Sequence, residues 1–154
     1  MRPLRTFLFS LTVTFYAVSL AYGNSNWSEP RYGGMADTVS RENVEEALFR
    51  LKSAYERREI MPMMDLLDRN FERYLDFKYE ITKKFFFSKQ LELMFIIDSI
   101  LQNRDRVSVR LHWFKKTLDP GGVFYKKEGS SQFVFRNSRR GLKLLYIRGD
   151  NPFF

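Results

Sequence analysis

Two hydrophobic rhythms divide the chain. From Val39 onward the apolar positions Val44, Ala47, Leu48, Leu51, Ala54 and Tyr55 recur at three- and four-residue steps, the spacing that gathers side chains on one face of an α-helix. Ser40 stands where an N-cap is wanted, and Glu42, Glu45 and Glu46 sit near the positive helix end, so the pattern predicts an amphipathic helix from Val39 to about Glu59. Pro62 suits the first turn of a short second helix with Met63, Leu66 and Leu67 facing inward, broken by Asp68-Arg69-Asn70. Leu75, Phe77, Tyr79, Ile81, Phe85 and Phe86 fit either period, but Lys83-Lys84 with Asp76 and Glu80 make one exposed helical face, which predicts a third helix over residues 75–87. Beyond Ser88 the period becomes two.

Leu91, Leu93, Phe95 and Ile97 alternate with other residues, as do Val107, Val109, Leu111 and Trp113 with Ser108, Arg110 and His112, which predicts two strands joined by a turn at Asn103-Arg104-Asp105. Asp119-Pro120-Gly121-Gly122 marks the next reversal. A strand over residues 131–136, with Phe133 and Phe135 on one face, and a last one over residues 142–148 follow, joined through residues 137–141. Three helices and then a four-stranded antiparallel meander make an α+β layout in which the helices cover one face of a sheet.

The start of the chain reads differently. Arg2 and Arg5 precede an uncharged stretch over residues 6–28, whose apolar heart, residues 7–21, is followed by Ala21-Tyr22-Gly23. A basic start, an apolar run and a small-x-small end predict a secretory signal peptide over residues 1–23, cut after Gly23. An uncleaved membrane anchor is the alternative, although Gly23-Asn24-Ser25-Asn26 is turn-like and lacks a basic stop. Residues 24–37 are rich in Ser, Asn, Gly and Pro without periodicity and read as a flexible leader, which leaves residues 38–154 as the domain. The expected location is exported and periplasmic.

Composition narrows the chemistry. The 154 residues include no Cys and one His, which excludes a disulfide scaffold, a thiolate zinc site, a cysteine nucleophile and a lipidated bacterial start. No metal-ligand spacing and no phosphate-cradling Gly-rich loop stands in the sequence, so neither metal nor cofactor is expected. Charge is distributed unevenly: residues 104–154 carry a net +8, against −2 for residues 24–103. Lys115, Lys116, Lys126, Lys127, Arg139 and Arg140 fall at strand ends and hairpins, a candidate patch for an unknown small ligand or an anionic envelope component: lipid headgroups, lipopolysaccharide phosphates, an acidic polymer or an acidic protein. A merely solvated basic surface explains them equally well, and nucleic acid is not an expected partner outside the cytoplasm.

The helical start LFRLKSAYERREIMPMMDLLDRNF, the strand RVSVRLHWFKK and the closing run KKEGSSQFVFRNSRRGLKLLYIRGDNPFF resemble the NTF2-like (SnoaL-like, or ketosteroid-isomerase-like) superfamily over residues 39–154. The resemblance implies a curved sheet wrapped around helices, a tapered pocket between them and frequent homodimerisation through the sheet's outer face. It implies no single activity, because the fold hosts isomerases, dehydratases, hydrolases and binding-only proteins.

Three residues are the weak catalytic candidates. His112 shares a strand face with Arg110 and Phe114, and Arg110 would lower its basicity by like-charge repulsion, so a structural or surface role is the simpler reading. Asp98 lies in the apolar run 94–101, where burial would raise its pKa; a strand end or bulge at Asp98-Ser99 would instead let it meet solvent or an arginine. Tyr55 could donate into the pocket as enzymes of that superfamily do, or be a core residue with its hydroxyl at the rim. The expectation is a ligand-binding or interaction module without an assigned reaction, with a small-molecule isomerase or dehydratase using a pocket carboxylate or His as the alternative.

Overall fold

The computed structural model describes residues 38–154. The signal peptide and leader expected over residues 1–37 lie outside the described residues. Helix α1, Arg41–Glu56, begins with a capping box in which Ser40 Oγ accepts the Asn43 N–H and Asn43 Oδ1 accepts the Ser40 N–H. It buries the six apolar positions that the spacing selects. It ends three residues earlier than expected, because Arg58 turns left-handed at φ 59° and donates from Nη1 to Ser88 O at 2.8 Å. Helix α2, Ile60–Asp65, holds Pro62 in its first turn. The segment after it hydrogen-bonds along the sheet edge, Asp68 N–H to Leu144 O and Leu144 N–H to Leu66 O.

Helix α3, Tyr74–Phe86, matches the predicted helix. Its apolar residues divide by helical geometry: Phe77, Ile81 and Phe85, at four-residue steps, are buried, while Leu75, Tyr79 and Phe86 are exposed.

Four strands follow: β1 Gln90–Asn103, β2 Arg106–Leu118, β3 Phe124–Ser138 and β4 Gly141–Gly149, paired antiparallel in sequence order. All four turns of phase along β2 are kept: Val107, Val109, Leu111 and Trp113 lie on the inner face against the helices. On β1 the inner positions change from odd (Leu91, Leu93) to even (Ile100) numbers across a bulge between Ile97 and Ser99, which leaves Asp98 as the extra residue. Strands β1 and β3 are both longer than expected. The first half of β3, FYKKEGS, has no apolar alternation but pairs along its whole length with β2, so cross-strand hydrogen bonding overrides its weak propensity.

The wide cone between sheet and helices is filled with aromatic side chains. After β4 the chain turns inward and Phe153, with no exposed surface, stacks at centroid distances of 5.3 Å from Tyr55, 5.9 Å from Phe77 and 6.0 Å from Phe133. Trp113 Nε1 holds that turn by donating to Asp150 O and Ser131 Oγ, both at 3.0 Å. A Cβ at Gly129, opposite Trp113, would come within 2.7 Å of the indole ring, so only glycine admits this packing. Arg136 Nη1 reaches Asp68 at 3.0 and 3.1 Å, tying β3 to the segment before α3 through a carboxylate that is almost fully buried.

Candidate functional site

Register decides which predicted residues can meet. Across β1, β2 and β3, Glu92, Lys116 and Lys126 form one row, Leu93, Lys115 and Lys127 the next, and Met94, Phe114 and Glu128 a third. Side chains of the first and third rows share the outer face, and those of the middle row share the inner face. A cavity of about 720 Å³ is lined by these three rows and by Glu56. Six residues of the first and third rows, Glu92, Met94, Phe114, Lys116, Lys126 and Glu128, make up most of the lining of this groove, together with Leu93, Lys115 and Lys127 of the middle row. Glu56 stands at its β1 end, where Oε1 accepts the Leu93 N–H at 2.8 Å and Oε2 meets Lys52 at 2.7 Å, closing that part of the sheet edge.

The groove carries both charge signs. Lys116 lies 4.5 Å over the Phe124 ring and 3.8 Å from Glu92. Beside it stand apolar residues that a sheet exposed to water does not need: Met94, Ile96 and Phe114 are 51%, 47% and 41% exposed.

Of the six predicted cations, four are thus brought to one end of the sheet, but on two faces. Lys115 is buried, its ammonium donating to the Phe154 backbone oxygen and lying 5.6 Å over the Trp113 ring. Burial, and then the neighbouring Lys84 and Lys127, push its pKa down to about 7. Arg139 and Arg140 occupy the β3–β4 turn at the other end of the sheet. Twelve strand steps at about 3.3 Å separate them from Lys126 and Lys127 by roughly 40 Å, several Debye lengths. The six candidate cations thus stand in two separate clusters: a strand alternates faces and spans distance, neither of which charge counting sees.

The catalytic candidates also separate. Asp98, raised on its bulge, and His112 are on the outer face, where Asp98 Oδ1 and Oδ2 lie 2.9 and 2.8 Å from His112 Nδ1. The carboxylate meets neither solvent alone nor an arginine but the imidazole. Tyr55 is in the cone, yet its hydroxyl does not reach the rim: it is fully buried, has no hydrogen-bond partner among the described residues, and burial pushes its pKa up. Arg110, expected beside His112, shares its face. Among the described residues no group of three or more His, Asp or Glu is arranged to hold a metal ion, and no helix is long and apolar enough to cross a membrane.

Residues that sequence reasoning did not single out are Glu92, Met94, Phe114 and Glu128 in the groove and Lys84 beside Lys115. The alternation that places Trp113 inside already places Phe114 outside, and that signal was available.

No family profile matches the sequence, and no curated protein matches it. Solved structures do match the fold. A conserved protein from Planctomyces limnophilus superposes with a TM-score of 0.63 at 13% identity, covering 71% of this chain and 96% of that one. A candidate dehydratase of the NTF2-like family from Streptomyces avermitilis gives 0.62 at 13% identity, covering 70% and 93%. An NTF2-like superfamily protein from Salmonella enterica gives 0.57 at 10% identity, covering 72% and 89%. The domain is an NTF2-like α+β fold: helices packed on a curved antiparallel sheet.

Proposed function

We propose that this domain is a binding and interaction module whose working surface is the outer face of the sheet, with a second copy of the chain as the partner that face fits. The observation that carries the reading is the contrast between the two sides of the sheet. The cone is occupied by Tyr55, Phe77, Phe133 and Phe153, whereas the outer face has the groove and exposed Met94, Ile96 and Phe114. A symmetric interface must be complementary to itself, and lysine and glutamate in one groove beside apolar residues satisfy that. The isomerase or dehydratase alternative is less well supported, because such chemistry needs convergent polar groups in one enclosed pocket. Asp98 and His112 are outside the cone and Tyr55 within it.

Export with cleavage after Gly23 remains the sequence-based part of the proposal, checked by the N-terminal mass of the exported protein. The interface is tested by sedimentation velocity over a concentration series. The wild type should associate, and Met94→Glu with Phe114→Glu, at exposed positions, should hold it monomeric while leaving the circular dichroism spectrum unchanged. Changing Lys116 and Lys126 to Glu should also dissociate it, and adding Glu92→Lys and Glu128→Lys should restore association. A wild-type monomer at every concentration would overturn the reading.

A further inference from the structure

Helix α3 and the β2–β3 turn finish at the same end of the fold, and exposed apolar side chains gather there. Phe86 closes α3 and Phe87 caps it; they are 80% and 57% exposed and meet edge to face at 5.0 Å. Two residues later the Lys89 N–H donates to Leu118 O at 2.8 Å, and the row Gln90, Leu118, Phe124 crosses three strands. Neighbouring strands lie about 4.8 Å apart, so the end of α3 and the β2–β3 turn stand side by side. That turn adds Val123, Phe124 and Tyr125, each at least half exposed. Among the described residues, the turns at the opposite end of the sheet, after β1 and after β3, have one such neighbour, Leu101.

Positive charge surrounds these rings. From the last turn of α3 to the row Glu92, Lys116, Lys126, residues 83–92 and 116–126 hold Lys83, Lys84, Lys89, Lys116 and Lys126 against Glu92 and Asp119. Glu92 lies 3.8 Å from Lys116. Asp119 is engaged within the turn, its carboxylate accepting the Val123 N–H at 2.8 Å and the Tyr125 hydroxyl at 3.3 Å. Lys116 and Lys126 also wall the outer groove, so this end is set apart by Phe86, Phe87, Lys83 and Lys89, none of which lines it. A fold in water has no need of a phenylalanine at four-fifths exposure beside a second one. Lysine stems running beside such rings keep their ammoniums at phosphate level while the rings enter the acyl boundary, the arrangement of a protein that lies on a membrane without spanning it.

We propose that this end of the domain is an interfacial docking surface for anionic phospholipid bilayers. Phe86, Phe87 and Phe124 enter the boundary between headgroups and acyl chains, and Lys83, Lys84, Lys89 and Lys126 face the phosphates. This surface stands independently of the self-association proposed for the outer face of the sheet.

The test is flotation of the purified protein with vesicles of phosphatidylglycerol and phosphatidylcholine in equal parts, and with vesicles of phosphatidylcholine alone. The wild type should partition onto the anionic vesicles at least about tenfold more strongly, and less so as salt rises. Lys83→Gln with Lys89→Gln, both at exposed positions outside the groove, should lower that partitioning about twentyfold at low salt. Phe86→Ala with Phe87→Ala should lower it at least about tenfold and leave its salt dependence unchanged. Arg139→Gln with Arg140→Gln, at the opposite turn, should bind nearly as the wild type does. All variants share one N-terminus, so any affinity of residues 1–37 is common to them. The chain has no cysteine, so a polarity-sensitive dye can be placed on Phe86→Cys, where its emission should shift to the blue on anionic vesicles, and on Leu101→Cys, where it should not. In sedimentation velocity the lysine and phenylalanine variants should match the wild type, which keeps this surface apart from the proposed interface. A wild type that does not bind anionic vesicles, a phenylalanine variant that binds them unchanged, or equal dye shifts at both positions would overturn the proposal. So would loss of self-association in the phenylalanine variant, which would make this end a protein contact.

Discussion

Replacing Trp113 by Ala removes more than an apolar side chain. The indole is 3% exposed, lies on the inner face of β2 and fits against Gly129 so closely that no Cβ is tolerated there. Loss of transfer energy and the cavity left behind should cost about 3–5 kcal/mol. Nε1 also donates to Ser131 Oγ and to Asp150 O; without it the Asp150 carbonyl loses a donor that fixes the inward turn of residues 150–154, for about 1 kcal/mol more. Trp113→Phe keeps most of the apolar volume and loses the N–H, and should cost about 1–3 kcal/mol. Urea unfolding followed by circular dichroism measures both, read from the midpoint at constant m-value. A loss below about 1 kcal/mol for Trp113→Ala would mean that the ring is not part of the packed interior, and the inner-face assignment of β2 would fall with it.

Two further perturbations probe charges inside the fold. Asp68→Ala leaves the Arg136 guanidinium half-buried with only the more distant Asp105 at 3.8 Å, and should destabilise by about 3 kcal/mol, with Arg136→Met less harmful in the same unfolding assay. Lys115 has a folded-state pKa of about 7, below its ordinary value of 10.5, because of burial and the neighbouring Lys84 and Lys127 ammoniums, while its ammonium donates to the Phe154 backbone oxygen. Between those values the unfolded chain holds a proton that the folded one lacks, so this group's contribution to stability rises with pH through that window, and its cost is fully present below about pH 7. Against Lys115→Met, the wild type should gain about 2–3 kcal/mol of relative stability between about pH 7 and 9; parallel pH profiles of the two proteins would refute it.

The elements were legible because their periods are clean: α1 and β2 need only the repeat of Val44 to Tyr55 and of Val107 to Trp113. The bulge at Asp98 was legible too, since apolar positions shift from Ile97 to Ile100 and only an extra residue lets both face inward. What the sequence could not show depends on pairing. Half of β3 is polar and becomes strand through β2, and Lys115 differs from Lys116 only in which face the pleat assigns it. The closing Asn151-Pro152-Phe153-Phe154 carries no periodicity, so nothing local announces that Phe153 fills the cone and that Phe154 meets Lys115. Arg139 and Arg140 are near Lys127 in sequence and a sheet's length from it in space.

The absence of cysteine makes the central claim directly measurable. Single cysteines placed at Ile96 on the outer face and at Leu75 on the exposed side of α3 give two otherwise equal probes for mild oxidation at low protein concentration. If the outer face of the sheet joins two copies of the chain, Ile96→Cys should form disulfide-linked dimers rapidly, Leu75→Cys should not, and Phe114→Glu should suppress the linkage. Equal cross-linking at both positions, or none at Ile96→Cys, would contradict the account.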